Sequence, residues 1–211
     1  VKVVLSGDGG DELFLGYNRY QAAKDIWGKI KYLPGRGMFA KLIRAAPTPI
    51  LNFLFFYLES HGDKYGRASS VGNKLKTLSR WVDAASARDF YIASMMHFNA
   101  SESVVLGVDN SSALSFFCAK NSMPDDFDEW MMSVDTLNYL PDDILTKVDR
   151  ATMCVGLEGR VPMLDPNVVA TAWRIPIPHK NFGGVPKWPL KQILNKHIPL
   201  SLTNRPKTGF G

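Results

Sequence analysis

Residues 3–15 read VVLSGDGGDELFL, from Val3 through Ser6, Asp8 and Asp11 to Leu15. The pattern of this stretch changes twice. Val1, Val3, Val4 and Leu5 form an apolar run of the kind that makes a buried strand. The run stops at Ser6-Gly7-Asp8-Gly9-Gly10, and a helical pattern opens at Asp11-Glu12-Leu13-Phe14. Strand, glycine-rich loop and helix start aim backbone N–H groups and a positive helix end at an anion. Yet the loop holds three acids, Asp8, Asp11 and Glu12. Carboxylates repel phosphate, so a phosphate bound here needs a bridging cation such as Mg²⁺. The plainer reading of the same residues is a tight strand-to-helix turn capped by aspartate.

Working outward, the composition is that of a globular protein with a real core: 211 residues, 45% hydrophobic and 21% charged. The apolar stretch from Ile50 to Leu58 is broken by Asn52 and is too short to span a bilayer, so no membrane partner is expected. The chain starts at Val1 with no signal peptide and stops at Gly211, which reads as a segment of something longer. Cys118 and Cys154 have no metal or redox spacing, which fits a cytoplasmic setting with both as small buried hydrophobes. His61, His97, His179 and His197 form no ligand pair, so zinc is not expected.

The net charge of +5 is unevenly spread. After Asp165 there is no acid, while Arg174, Lys180, Lys187, Lys191, Lys196, Arg205 and Lys207 are all basic. Such a tail suits an acidic partner or a polyphosphate, or is simply a solvated surface. No zinc finger or aromatic RNA motif accompanies it, so nucleic acid is not expected as a partner.

The middle of the chain reads as helices. Asp11 is expected to cap a helix running to about Lys24, with Leu13, Phe14, Tyr17 and Tyr20 on its apolar side. Further helices are expected over 38–46, 50–59, 74–84, 87–97, 111–121 and 128–139, with 60–73 as a loop. Asp142 or Asp143 is expected to cap the next helix, whose buried stripe is Leu145, Val148, Thr152 and Val155. At helical spacing Asp143, Lys147 and Arg150 share one face. Glu158 and Arg160 follow, and Asp165-Pro166 reads as N-cap and first position of another helix. A last helix is expected near 187–194. The basic end, 204–211, needs an acidic surface to dock on, for which the opening loop is a candidate.

SGDGGDELFLGYNRY (6–20), LPDDILTKVDRATM (140–153), LEGRVPMLD (157–165), KWPLKQIL (187–194) and NRPKTGF (204–210) occur in this order. Together they resemble the synthetase domain of glutamine-hydrolysing asparagine synthetases, with a divergent helical region over 21–139 between a first segment, 1–20, and a last, 140–211. The resemblance implies a doubly wound α/β fold of the ATP-pyrophosphatase (adenine-nucleotide α-hydrolase-like) class. This chain is then a mainly α fragment that lacks the N-terminal strands and the first phosphate loop, SGGxDS. It implies that ATP adenylates the side-chain carboxylate of aspartate, and that ammonia from a separate glutaminase domain displaces AMP to give asparagine.

On that resemblance ATP and Mg²⁺ are the expected cofactors, and Ser6, Gly7, Gly9 and Gly10 the nucleotide-binding positions. Asp11 matches the carboxylate that holds Mg²⁺, and Asp8 the acid that forms or uses the adenylate. Lys187 matches the lysine that neutralises the reacting phosphate. Asp143, Lys147, Arg150, Glu158 and Arg160 are candidates for binding the carboxylate substrate, or for bracing the site from behind. The isolated segment is expected to be inactive, and a homodimer is a candidate assembly. Two other readings stand beside this one: a related amidotransferase acting on a sugar acid or other carboxylate, and a non-catalytic helical module. Leu15 departs from the family, which more usually has Gly there.

Overall fold

Three apolar residues at the start of the chain find their strand partner far along it. In the computed structural model β1 (Val3–Leu5) lies parallel to β2 (Glu158–Arg160), with Val3 opposite Glu158 and Leu5 opposite Arg160. The structure describes residues 1–58, 71–96, 123–199 and 202. Among these residues the sheet has two strands, and the remainder is mostly helical. Parallel strands are normally covered on both faces. Here Leu5 stays 69% exposed, so the expected buried strand is an exposed one, because β2 is its one described neighbour.

The chain divides into two compact units, Val1–Tyr20 with Phe117–Gly211, and Gln21–Phe116. In the first, the acidic loop leads into α1 (Gly10–Leu13) and, after a turn, α2 (Asn18–Ile30) begins. One helix from Asp11 to about Lys24 was the expectation. The break has a cause: Leu15 takes φ 54°, a left-handed conformation that ends the first helical turn. The usual glycine of the family suits that conformation without strain.

Leu13 and Phe14 are buried with Ala172, and Met163, Leu164, Val169, Trp173, Ile175 and Leu190 pack around them. Fully burying residues such as Leu13 and Phe14 contributes roughly 1.5–3 kcal/mol each. The acidic loop therefore rests on α9 (Pro166–Arg174) and α11 (Trp188–Leu194). Asp165 caps α9 as expected, accepting from Asn167 N–H at 2.8 Å, with Pro166 in the first turn. Between them, α10 (Ile177–Lys180) buries Lys180.

A long helical run precedes β2. It starts at α7 (Phe127–Val134), capped by Asp126, which accepts from Glu129 N–H at 3.0 Å. It continues as a π-helix, Asp135–Leu145, and ends in α8 (Thr146–Met153). Asp142 and Asp143 thus lie inside the run and cap nothing, a correction to the sequence reading. Pro141 lacks an N–H to donate, and the run absorbs it within the wider π turns. The expected buried stripe is also corrected: α8 has no buried residue, and Val155 is 69% exposed. Cys154 is free and exposed, not buried.

The second unit holds α3 (Arg36–Ala45), α4 (Thr48–Leu58), α5 (Val71–Val82) and α6 (Ala87–Met95), with α5 packed against the other three. Arg36 donates to the carbonyls of Val82 and Ala84, at 3.2 and 2.8 Å. Ser86 caps α6 by accepting from Asp89 N–H at 3.1 Å. The expected helix over 111–121, Cys118, most of the 60–73 loop and the basic end at 204–211 lie outside the described residues. Among those described, no helix is long and apolar enough to cross a membrane.

Candidate functional site

The acidic loop begins where β1 ends, at the carboxyl end of both parallel strands. That is the end at which open α/β folds bind ligands. Ser6 N–H donates to the Arg160 carbonyl at 2.8 Å, extending the β1–β2 pairing by one residue. The Ser6 hydroxyl donates to Asp8 Oδ2, which fixes that carboxylate over the turn. A methyl built on Gly7 would meet nothing within 4 Å, so close approach of a ligand to the backbone is easiest there. Gly9 is different. It has φ 83°, a conformation that demands glycine, and a Cβ there would also press on the Leu164 side chain, 2.6 Å from its Cδ2. Gly10 is buried, and its N–H donates to the Gly7 carbonyl at 3.3 Å.

Lys187 comes back to this loop from the other end of the chain. Its Nζ lies 2.8 Å from Asp11 Oδ2, with the two side chains 27% and 29% exposed. The pair is half-open, placed where a ligand can reach it. Lys187 itself takes φ 56°, a conformation costly to a residue with a Cβ. Its N–H donates to the Phe14 carbonyl at 3.2 Å, and its carbonyl accepts from Lys191 N–H at 3.0 Å at the start of α11. Loop and helix thus hold the strained residue from both sides.

Sequence reasoning missed the residue that makes this fit. A Cβ on Gly16 would stand 2.2 Å from both Asp11 Oδ1 and Lys187 Cε. It missed the neighbouring polar cluster as well. Glu12 is 1% exposed and accepts from the Tyr17 hydroxyl at 2.6 Å. Burial raises the Glu12 carboxyl above its ordinary value, partly offset by that hydrogen bond. Burial first, and then the bond to Glu12, raise the Tyr17 phenol. The Arg19 guanidinium sits 3.8 Å from the Tyr17 ring centre and 4.5 Å from that of Tyr139. The one available signal was the dense run Gly-Tyr-Asn-Arg-Tyr at 16–20, whose tyrosines at helical spacing read as an apolar face and not as hydrogen-bonding groups.

The candidate substrate residues are divided by the fold. Glu158 and Arg160 lie on β2, with Arg160 opposite Leu5 and so next to the loop. They pair with each other at 2.8 Å on an exposed edge, and the bond to Glu158 raises the Arg160 guanidinium. Lys147 pairs with Asp143 at 2.5 Å across one helical turn, and the Asp143 bond raises the Lys147 ammonium. Arg150 is exposed on α8. Asp143 and Lys147 are therefore satisfied on their own helix face.

Among the described residues no group of three or more His, Cys, Asp or Glu side chains is placed to hold a metal ion. The loop turns Asp8 toward Ser6 and Glu12 toward Tyr17, leaving Asp11 as the carboxylate at the open pair. One carboxylate does not hold Mg²⁺ by itself. It does suit a magnesium ion that arrives on phosphates and keeps several of its waters.

These features define a mostly helical segment with a two-stranded parallel sheet among the described residues and an ionic pair at the carboxyl end of those strands. A family model described as asparagine synthase matches residues 1–211, and the chain belongs to the asparagine synthase family. A putative glutamine-hydrolysing asparagine synthetase of Mycobacterium bovis is 30% identical over 221 residues, covering 100% of this chain and 29% of that protein. The glutamine-hydrolysing asparagine synthetase 1 of Bacillus subtilis is 28% identical over 216 residues, covering 100% of this chain and 30% of that protein. The chain thus spans under a third of these relatives. No solved structure matches it.

Proposed function

We propose that the full-length protein carrying this chain is an ATP-dependent ligase that converts the side-chain carboxylate of aspartate to an amide. The observation that supports it most is the half-open Asp11–Lys187 pair beside the acidic glycine loop. A carboxylate oxygen attacks the α-phosphorus of ATP, forming an acyl-adenylate as the bond to pyrophosphate breaks. Ammonia then attacks the acyl carbon, AMP leaves with the bridging oxygen, and the nitrogen loses a proton. In the relatives named above the ammonia source is glutamine, and we extend that source to this protein.

Lys187 meets the negative charge that builds on the departing pyrophosphate, where a fixed cation in a half-buried site acts most strongly. Asp8, held by the Ser6 hydroxyl, accepts the proton from the attacking amine. Gly7 gives the nucleotide an open stretch of backbone, and Ser6 sits at the strand end behind it. Asp11 would hold Mg²⁺ together with the phosphates, and the ion would supply charge neutralisation there. Glu158 and Arg160, at the adjoining strand end, are the better placed of the substrate candidates. By themselves these 211 residues are expected not to turn over, since they contain no SGGxDS loop. The exposed, unbridged Cys154 suits the reducing cytoplasm in which we place the reaction.

The test is pyrophosphate release by the full-length protein with ATP, Mg²⁺, aspartate and ammonia. Release that depends on aspartate, and falls about 100-fold or more in Asp11→Asn and in Lys187→Met, is expected. Undiminished release in both variants would overturn the proposal.

A further inference from the structure

Helix α1 has four residues, and no side chain caps its N-terminus. So short a helix does not hold itself together. The direction in which Asp11 points must be set from outside. Leu13 and Phe14 anchor one side in the apolar core. The other side is tied by a chain of polar contacts that starts in the π-helix.

Asp135, the first residue of the π-helix, is 1% exposed. Its Oδ2 accepts from Arg19 Nη2 at 2.6 Å and from the Tyr20 hydroxyl at 2.7 Å. The Arg19 guanidinium lies in the corner formed by the edge-to-face Tyr17 and Tyr139 rings, 3.8 and 4.5 Å from their centres, and Tyr17 in turn donates to Glu12 Oε1 at 2.6 Å. Glu12 is the neighbour of Asp11. Contact therefore runs unbroken from Asp135 through Arg19, Tyr17 and Glu12 to the Asp11–Lys187 pair. Burying an ion pair such as Arg19–Asp135 is seldom the most stable solution, since apolar groups of similar volume often do as well. Its use here is geometric. A planar cation set against two rings and bonded to a buried carboxylate is fixed in direction as well as position, and a lysine cannot reproduce it.

We infer that Arg19, Tyr17 and Asp135 are positioning residues, a strap that sets the acidic loop against the helix carrying Asp143 and holds Asp11 in register with Lys187. The effect on catalysis rests on the ligase reading given above; the effect on the loop does not. The strap touches no substrate. Its removal leaves ligand binding largely intact and lowers the rate of the chemical step.

Arg19→Lys, which keeps the charge but not the planar guanidinium, and Tyr17→Phe, which removes one hydroxyl, test this in the full-length protein. Amide hydrogen exchange is read at Leu13 and Gly16, whose N–H groups donate to the Gly9 and Asp11 carbonyls at 3.0 and 2.8 Å. Both variants should melt cooperatively, with exchange at those amides about tenfold faster and the rest of the molecule unchanged. In pyrophosphate release, kcat should fall about tenfold while KM for ATP stays within about threefold. Unchanged exchange at Leu13 and Gly16 would overturn the strap, and so would a rise spread evenly over the whole protein. If the wild type releases no pyrophosphate, the ligase reading fails while the exchange measurement still decides the strap.

Discussion

A methyl group on Gly16 would come within 2.2 Å of both Asp11 Oδ1 and Lys187 Cε, and within 2.8 Å of the Asp11 Cα. The first two contacts belong to side chains that can move; the third is backbone and cannot yield. Gly16→Ala should therefore push the acid and the lysine apart without exposing the core. Misplacing a reacting group by about 1 Å costs on the order of 100-fold in rate, so kcat for pyrophosphate release should fall by about that factor. A rate within about twofold of wild type would mean that the pair does not act as a unit. Single residues such as this were the least legible part of the chain. Asp8, Asp11 and Lys187 announce themselves by type and motif, but Gly16 matters only through what packs beside it. Leu15 shows the reverse: its oddity was visible as a departure from Gly, and its φ of 54° supplies the reason.

At the scale of elements, the short helix α10 buries a lysine that the charge pattern assigned to a solvated basic surface. Lys180 is 1% exposed, with its ammonium 5.1 Å from the Trp173 ring centre. Burial lowers its pKa to about 8, against a small opposing pull from Glu129. Below pH 8 both folded and unfolded chains carry the proton. From about pH 8 to the ordinary 10.5 the unfolded chain keeps it while the folded chain has lost it. Stability should accordingly rise with pH across that window. Lys180→Met should remove that rise and stabilise the protein at pH 7 by about 1 to 2 kcal/mol, after allowing for the lost cation–π contact. Denaturant melts of both proteins at pH 7 and pH 10 check this, and a destabilised variant at pH 7 would contradict it. The boundaries read well where chemistry marks them, as at Asp165. They read badly where Pro141 signals a stop that the π-helix absorbs. β2 was invisible because Glu-Gly-Arg has neither alternation nor β-branched residues.

For the whole molecule, the motif-bearing segments 6–20, 140–165 and 187–194 fall within one of the two compact units. A long-range fold brings the loop and Lys187 into contact at 2.8 Å, and the family match over residues 1–211 bears out the resemblance first seen in those segments. What the sequence could not show is how their charges are shared. Asp11 meets Lys187, Asp8 meets Ser6, and Glu12 turns inward to Tyr17. The acids that looked misplaced in a phosphate loop thus have three different partners, and Asp11, bound to Lys187, is left at the open site. The chemistry proposed for this site is the formation of an acyl-adenylate. Aspartate labelled with ¹⁸O in its side-chain carboxylate, turned over by the full-length protein with ATP, Mg²⁺ and ammonia, follows the transferred oxygen. One labelled oxygen should appear in AMP. Label in inorganic phosphate, with ADP as the nucleotide product, would show an acyl-phosphate and rule the adenylate out.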